Sequence, residues 1–324
     1  MHDLAIITTS LNEAHWLRAC LPTVLSSIDG LDVDIVIADI ESEDDTGALP
    51  DEFVGVRTVR CGNRGFAHAN NAALATCDAR YVLFLNPDTE ILEGCFADTL
   101  RKLDDRPDIG MLGVPQVTSD GQIYPTIRHV ATPLRAWGEA FGSERLRIAR
   151  RLFAQRELDL RTYEDERLCD WTIGSFMLVR RAALTSAGPM DERFFLYCEE
   201  EDFCLRIRNA GWNILHAPWM RIVHHVGKAG VDERRERQRA FAKRQYAEKN
   251  LDGLPRVSFL AAVCVKYAIR AVGSRSRSKR HAARRALRAL VRREPPFLQP
   301  PITALPPSVG ESSYERTTSH SAPF

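Results

Sequence analysis

Four short apolar runs mark the N-terminal part of the chain: Leu4–Thr8, Val33–Ala38, Val56–Val59 and Tyr81–Leu85. Three of them break off into polar or acidic clusters, at Thr9–Asn12, Asp39–Asp44 and Asn86–Asp88. A helical pattern (Trp16, Leu17, Cys20, Leu21, Val24, Leu25) follows the first run, and Asn63 or Gly65 can open a helix in CGNRGFAHANNAALA after the third. Strands alternating with helices at roughly 20–30-residue intervals indicate βαβ units and a largely parallel sheet. Ligands of such sheets collect at the carboxyl ends of the strands, near the point where strand order reverses. The three clusters are therefore expected on one edge.

Length and composition permit such a fold. The 324 residues suffice for one large α/β domain with an appendage or for two modest domains, and 44% hydrophobic with 27% charged residues excludes whole-chain disorder. Eight cysteines are scattered without a CxxC pair, which fits thiols serving as small apolar residues in a reducing cytoplasm. Neither a basic leader nor about 18 consecutive uncharged apolar residues occur, so neither a signal peptide nor a membrane span is expected. The net charge of +1 conceals an asymmetry: Lys266 to Arg293 holds 11 Lys or Arg and no Asp or Glu, leaving 33 basic against 43 acidic residues elsewhere.

Further along, Pro115–Pro133 reads as turns and short strands, Glu144–Leu160 as a basic amphipathic helix and Asp170–Val179 as a strand. An acidic helix start follows at Cys198–Asp202, then a last strand at Met220–Val223 ending in His224-His225. From about Asp232 the chain reads as helical and charged. The expected organisation is an α/β domain over residues 1–250, a basic amphipathic helical tail over 251–294 and a disordered Pro/Ser-rich segment over 295–324.

Four constellations carry chemistry. Asp88, at a strand end, can hold a divalent cation that completes its shell with phosphates and water, or it can simply make a turn after Pro87. Asp39 can accept hydrogen bonds from a nucleobase or a ribose, while Glu43 and Asp45 read as solvated acids at a helix start. No GxGxxG follows the first strand, which argues against a nicotinamide or flavin site. The run Glu199–Asp202 packs four acids beside Phe194, Phe195 and Tyr197; such crowding raises pKa values and suits a general base, although Asp202 can also pair with Arg206 at i,i+4. A histidine closing the last strand is either a metal ligand, tilting the ion towards Mn²⁺, or a hydrogen-bonded surface residue.

Taken together, "IITTSLNE", "IVIADIESED", "GNRGFAHANNAAL", "YVLFLNPDTEI", "DGQIYPTIR", "WTIGSFMLVRRAAL", "MDERFFLYCEEEDFCLRIRNAGW" and "IVHHVG" resemble a family 2 glycosyltransferase of the GT-A fold, in its rhamnosyltransferase-like branch. The resemblance runs from about Leu4 to Gly227. It implies a donor half at about 1–113 and an acceptor half at about 114–250. Asp39 matches the acid that recognises the base, with Thr8 and Thr9 in the same pocket, and Gly65 and Asn70 lie beside the donor nucleotide. Asp88 matches the metal-binding last acid of the DxD-type motif, Asn86 stands where others have its first acid, and His224 matches a histidine that helps hold Mg²⁺ or Mn²⁺ or the diphosphate. Gly174 and Tyr197 fall on the acceptor side. The family's base position falls on Glu200 where Asp is usual, a displacement of about one C–C bond that can cost about 100-fold in rate; Glu199 is the runner-up.

The implied reaction is inverting transfer from a nucleotide diphosphate-sugar, with dTDP-rhamnose favoured, to a glycan or polyprenyl-diphosphate-linked acceptor. A sugar nucleotidyltransferase should instead carry a Gly-rich loop with a Lys or Arg after the first strand, and a non-catalytic nucleotide-sugar-binding relative accommodates Glu200 and Asn86. The tail, an apolar helix grading into a basic one, suits an anionic leaflet, where each basic residue contributes about 1 kcal/mol. A solvated charged helix is the plain alternative, and nucleic acid is a less favoured partner. A peripheral position at the inner face of the cell membrane follows as an expectation, as does a place around Arg145–Arg156 for the acceptor diphosphate.

Overall fold

The computed structural model describes residues 1–28, 30–143, 150–225 and 232–294. The N-terminal half alternates β1 (His2–Ser10), α1 (Ala14–Leu25), β2 (Val33–Asp39), α2 (Leu49–Glu52), β3 (Val56–Arg60), α3 (Phe66–Leu74) and β4 (Ala79–Leu85). Next come β5 (Thr89–Glu93), α4 (Phe96–Asp104), β6 (Ile109–Gly113), β7 (Gln116–Val117), β8 (Ile123–Tyr124), β9 (Ile127–Arg128), α5 (Pro133–Phe141) and α6 (Arg150–Phe153). The remainder holds β10 (Arg167–Cys169), β11 (Trp171–Thr172), β12 (Phe176–Arg180), α7 (Arg181–Ala187), α8 (Glu199–Asn209), β13 (Asn213–His216), β14 (Arg221–His224), α9 (Glu233–Asn250), α10 (Gly253–Gly273) and α11 (Arg277–Arg292).

The main sheet has eight strands in the order β10-β13-β6-β12-β4-β1-β2-β3. Strands β3, β2, β1 and β4 run parallel, and β12 enters antiparallel between β4 and β6. Order reverses at β1, and the register places Ser10 opposite Asp39 and Thr8 opposite Leu85, so the polar strand ends share one edge. Alternation along each strand feeds two cores. Leu4, Ile6, Tyr81, Leu83 and Leu85 face α1 and α4, whereas Ala5, Ile7, Val82 and Phe84 face α3, α7 and α8. Helices therefore cover both faces, as expected of an α/β sheet whose strands read as unbroken apolar runs. A third core joins α5, α9, α10 and α11 to Phe194 and Cys198.

Two sequence expectations are corrected. Asp170–Val179 is not one strand: β11 pairs with β9 in a small separate sheet, the chain breaks at Ile173–Ser175, and β12 then enters the main sheet. Apolar content alone carries no sign of a change of partner strand. Of the helix expected over Glu144–Leu160, only Arg150–Phe153 is α-helical among the described residues, and residues 144–149 lie outside them. Beyond Ala154 the backbone pairs laterally instead: His129 N donates to Gln155 O at 2.9 Å and Glu157 N to Ile127 O at 3.1 Å. Cross-strand pairing thus takes the donors and acceptors that a helix would have used. The disorder expected at 295–324 also concerns residues outside the described ones.

Candidate functional site

The strand ends of β1 and β2 form the first wall. Thr8, Thr9 and Asp39 are buried, and Thr8 Oγ1 has no hydrogen-bond partner among the described residues. Asp39 Oδ1 accepts from Ser42 N at 2.9 Å, which fixes the carboxylate, while Oδ2 lies 3.9 Å from Arg60 Nε and is only weakly engaged. One carboxylate oxygen is thereby left for a ligand's N–H or O–H donor. The loop before α3 closes over this wall. Gly65 has φ +103°, and a Cβ there would run into the Phe195 carbonyl oxygen, which accepts from Phe66 N at 2.9 Å. Only glycine meets both demands. Asn70 is turned inward on its own helix, donating to Phe66 O at 3.0 Å. Its neighbour Asn71, which sequence reading passed over, ties α3 to the acceptor half through Met190 N, Met190 O and Glu192.

The second wall is the turn after β4. Asn86 engages through its backbone, its N donating to Ser175 O at 3.1 Å and its O accepting from Thr89 Oγ1 at 2.7 Å. Asp88 Oδ1 stands 3.4 Å from His224 Nε2. Gln116 Oε1 lies 3.1 Å from His224 Nδ1 and orients the ring so that Nε2 faces Asp88. An imidazole nitrogen and a carboxylate oxygen this close are ligand types that a divalent cation accepts. His225 is occupied elsewhere, at 2.6 Å from Glu90 Oε1, 2.9 Å from Ser119 Oγ and stacked on Trp16. Glu13, at the start of α1, was not singled out from the sequence; burial, and then the charge of Asp88, push its carboxyl up to about 7. A cation at Asp88 would relieve that repulsion. Among the described residues no three His, Cys, Asp or Glu side chains gather around one point, so the donor set fits an ion such as Mg²⁺ or Mn²⁺ that draws its other ligands from phosphate and water.

The third wall is the acidic cluster. Tyr197 and Cys198 both adopt left-handed backbone, at φ 71° and 69°, and turn the chain sharply into α8. The four acids then divide. Glu201 pairs with Lys243 at 2.9 Å, and Asp202 binds Lys249 at 2.7 Å, Arg206 at 3.0 Å and Asn250 at 3.2 Å. Among the described residues, Glu199 and Glu200 have no ion-pair partner and the Oε2 of each is buried without a hydrogen bond. Burial, and for Glu199 also the charge of Glu200, holds Glu199 well above the usual carboxylate range. Glu200 is raised too, chiefly by burial and then by Glu201, with Lys243 and Arg128 pulling the other way. Gly174, in the break between β11 and β12, lies against Glu200: a Cβ there would be 3.8 Å from the Glu200 Cβ. Tyr197 flanks the cluster with Arg239 over its ring at 4.7 Å.

Arg128, another residue missed at first reading, sits over Trp171 at 5.9 Å with Nη1 buried and unpartnered among the described residues, and its charge reaches Glu200. Its signal in the sequence was one cation between apolar residues in PTIRHV. Behind the cluster, α9 acts as a splint: besides Lys243 and Lys249, Gln238 donates to Leu196 O at 3.2 Å and Gln245 to Arg193 O at 2.9 Å.

Comparison with known proteins bears on the fold and the family. An N-acetylglucosaminyl-diphospho-decaprenol L-rhamnosyltransferase of Mycobacterium tuberculosis is 29% identical over 220 residues, covering 60% of this chain and 66% of the relative. Rhamnosyltransferase WbbL of Escherichia coli is 28% identical over 192 residues, covering 54% of this chain and 66% of the relative. The chain thus spans just under two thirds of the length of these relatives. Among solved structures, S. aureus TarS 1-349 in complex with UDP-GlcNAc matches at a TM-score of 0.55 and 14% identity, covering 90% of this chain and 81% of that one. Mannosyltransferase PcManGT from Pyrobaculum calidifontis, in complex with GDP-Man and Mn²⁺, matches at 0.51 and 17%, covering 90% and 75%. Such identities show the fold alone, which is GT-A. Residues 5–184, more than half of the chain, match the profile described as Glycosyl transferase family 2, and the chain belongs to that family.

Proposed function

We propose that the protein is an inverting glycosyltransferase that moves a sugar, best read as rhamnose from dTDP-rhamnose, onto a hydroxyl of a glycan or polyprenyl-diphosphate-linked acceptor during synthesis of cell-envelope polysaccharide. The division of the acidic cluster carries this reading. Two of its acids are spent on ion pairs with α9, and the remaining two have no ion pair among the described residues; Glu200 lies beside Gly174, whose neighbour Ser175 accepts from the Asn86 backbone in the turn that carries Asp88. The names of the relatives support the donor sugar and the lipid-linked acceptor.

In this reading Asp39, Thr8 and Thr9 hold the base and ribose of the donor, with Gly65 and Asn70 shaping the loop over it. Asp88 and His224 would hold a divalent cation, whose charge offsets that developing on the leaving diphosphate. Glu199, the more buried of the unpaired acids, keeps its proton, which lets Glu200 act as the carboxylate. Glu200 accepts the proton of the acceptor hydroxyl as that oxygen bonds to the anomeric carbon and the bond to the diphosphate breaks. One displacement inverts the centre. Gly174 and Tyr197 line the approach of the acceptor, and Arg128 offers a cation to an anionic part of it. Among the described residues no helix is long and apolar enough to cross a membrane, and we place the enzyme peripherally at an anionic membrane surface. Single-turnover transfer from a labelled panel of nucleotide-sugars, with Mg²⁺ and with Mn²⁺, tests the reading: transfer with inversion from a dTDP-sugar is expected. Binding without transfer across the panel would favour a non-catalytic relative.

A further inference from the structure

The membrane contact has a more specific address than a basic tail. In α11 the apolar positions Ala282, Ala283, Ala286, Ala289 and Leu290 are buried in the helical core, so this helix cannot turn an apolar face to lipid. Helix α10 differs. Its inner face (Phe259, Ala262, Val263, Tyr267) packs into the protein, and Lys266 anchors it to Glu139 of α5 at 2.6 Å. Its outer face reads Leu254, Val257, Ala261, Val265, Ala268 and Val272, at helical spacing and without a charged residue. Leu254, Val257 and Val272 are 82%, 62% and 81% exposed. The stripe runs the length of a 21-residue helix, about 30 Å.

The patch continues onto α5. Trp137 Nε1 donates to Ser258 Oγ at 3.1 Å beside the stripe, and Trp137 stacks on the exposed Phe141 with centroids 5.6 Å apart. Of fourteen large apolar side chains exposed among the described residues, six stand on α5 and α10. An exposed apolar surface of this extent marks an interaction site. We propose that the outer face of α10, extended by Phe141, lies flat in the headgroup region of an anionic bilayer. This rests on the reading of a lipid-linked acceptor. The charge selects lipid over a second copy of the chain: Lys266 to Arg293 contains 11 Lys or Arg and no acid, with Arg275, Arg277 and Lys279 exposed where α10 gives way to α11. A second copy carries the same basic charge and offers these cations no partner, whereas phosphatidylglycerol headgroups neutralise them.

Flotation of the full chain with vesicles of phosphatidylcholine, alone or mixed equally with phosphatidylglycerol, tests the surface, using Val257→Glu/Val272→Glu and, separately, Arg284→Gln/Arg288→Gln. Wild type should float with the mixed vesicles. The glutamate pair should lower partitioning at least about tenfold, while the α11 pair lowers it only a few-fold and mainly at low salt. Both variants change exposed residues, and thermal melts check that they fold. Transfer to a short water-soluble acceptor should be unaltered by the glutamate pair. Undiminished flotation of that pair would overturn the proposal, as would sedimentation showing a dimer that the pair dissolves. Flotation without any transfer would sink the glycosyltransferase reading and leave the surface standing.

Discussion

The two carboxylate sites are held in different ways. On the proposed donor edge Asp39 and Asp88 are placed by sheet register and by hydrogen bonds with nearby or adjacent-strand backbone, such as Ser42 N to Asp39 and His225 N to the Asp88 carbonyl. On the acceptor side Glu199 and Glu200 are placed by what their neighbours do. Glu201 and Asp202 reach Lys243 and Lys249, more than 40 residues away in sequence, and these pairs are largely removed from water. Asp39 and Asp88 thus come with the sheet, whereas the proposed base depends on a distant helix. The difference predicts where each site breaks.

The largest effect should come from the donor edge. Asp88→Ala is expected to lower transfer about 10³-fold or more, with a melting temperature within about 2 °C of wild type, since its carboxylate supports ligand charge and no core contact; single-turnover rates and calorimetry decide it. Glu200→Gln should lose about 10²–10⁴-fold and abolish the acid limb of the pH profile. In wild type that limb should lie above the ordinary glutamate range, because burial raises Glu200 and activity appears only as pH climbs through its raised pKa. A limb at the usual glutamate pKa, or one retained in the Gln variant, would assign the proton transfer elsewhere.

Lys249→Met tests the splint. It leaves Asp191 and Asp202, both almost wholly buried, short of a partner and should destabilise the fold by about 3–5 kcal/mol, with a loss of transfer that follows the loss of folded enzyme. Burial opposes ionisation of Asp191, but Arg193 and Lys249 outweigh it and hold its carboxyl well below the usual range. Its share of stability is therefore present above the unfolded pKa and is lost as pH falls through the folded one, so wild type and variant should converge in strong acid. The smallest effect is expected at Glu13. Its carboxyl is raised to about 7, so the penalty of ionising it grows as pH rises from the ordinary glutamate value through 7. Glu13→Gln should raise the melting temperature by about 2–4 °C at pH 8 and leave it unchanged at pH 5.

The same contrast governs what could be read in advance. The sheet and the positions of Asp39 and Asp88 were legible because a strand end is written locally, as an apolar run and then a polar break. Splitting Asp170–Val179 into two strands was not, since either partner strand accepts the same apolar residues. The role of α9 was hidden as well: ERRERQRAFAKRQYAEKN resembles any solvated charged helix until Lys243 and Lys249 are seen facing buried acids. Asn71 and Gln116 left fainter marks, a second amide in an alanine-rich helix and a lone amide among apolar residues in GVPQV. Both act across more than 50 residues of sequence, where no local pattern reaches.

Gly65 carries a last consequence. Because its Cα rests against the Phe195 peptide and Phe66 N is bonded to the same carbonyl, the loop over the donor and the loop leading into Glu200 meet without a side chain between them. Neither can shift alone. In the proposed reaction, a nucleotide that settles the first loop would also steady the segment carrying the proposed base, so that one backbone contact couples the two halves of the site.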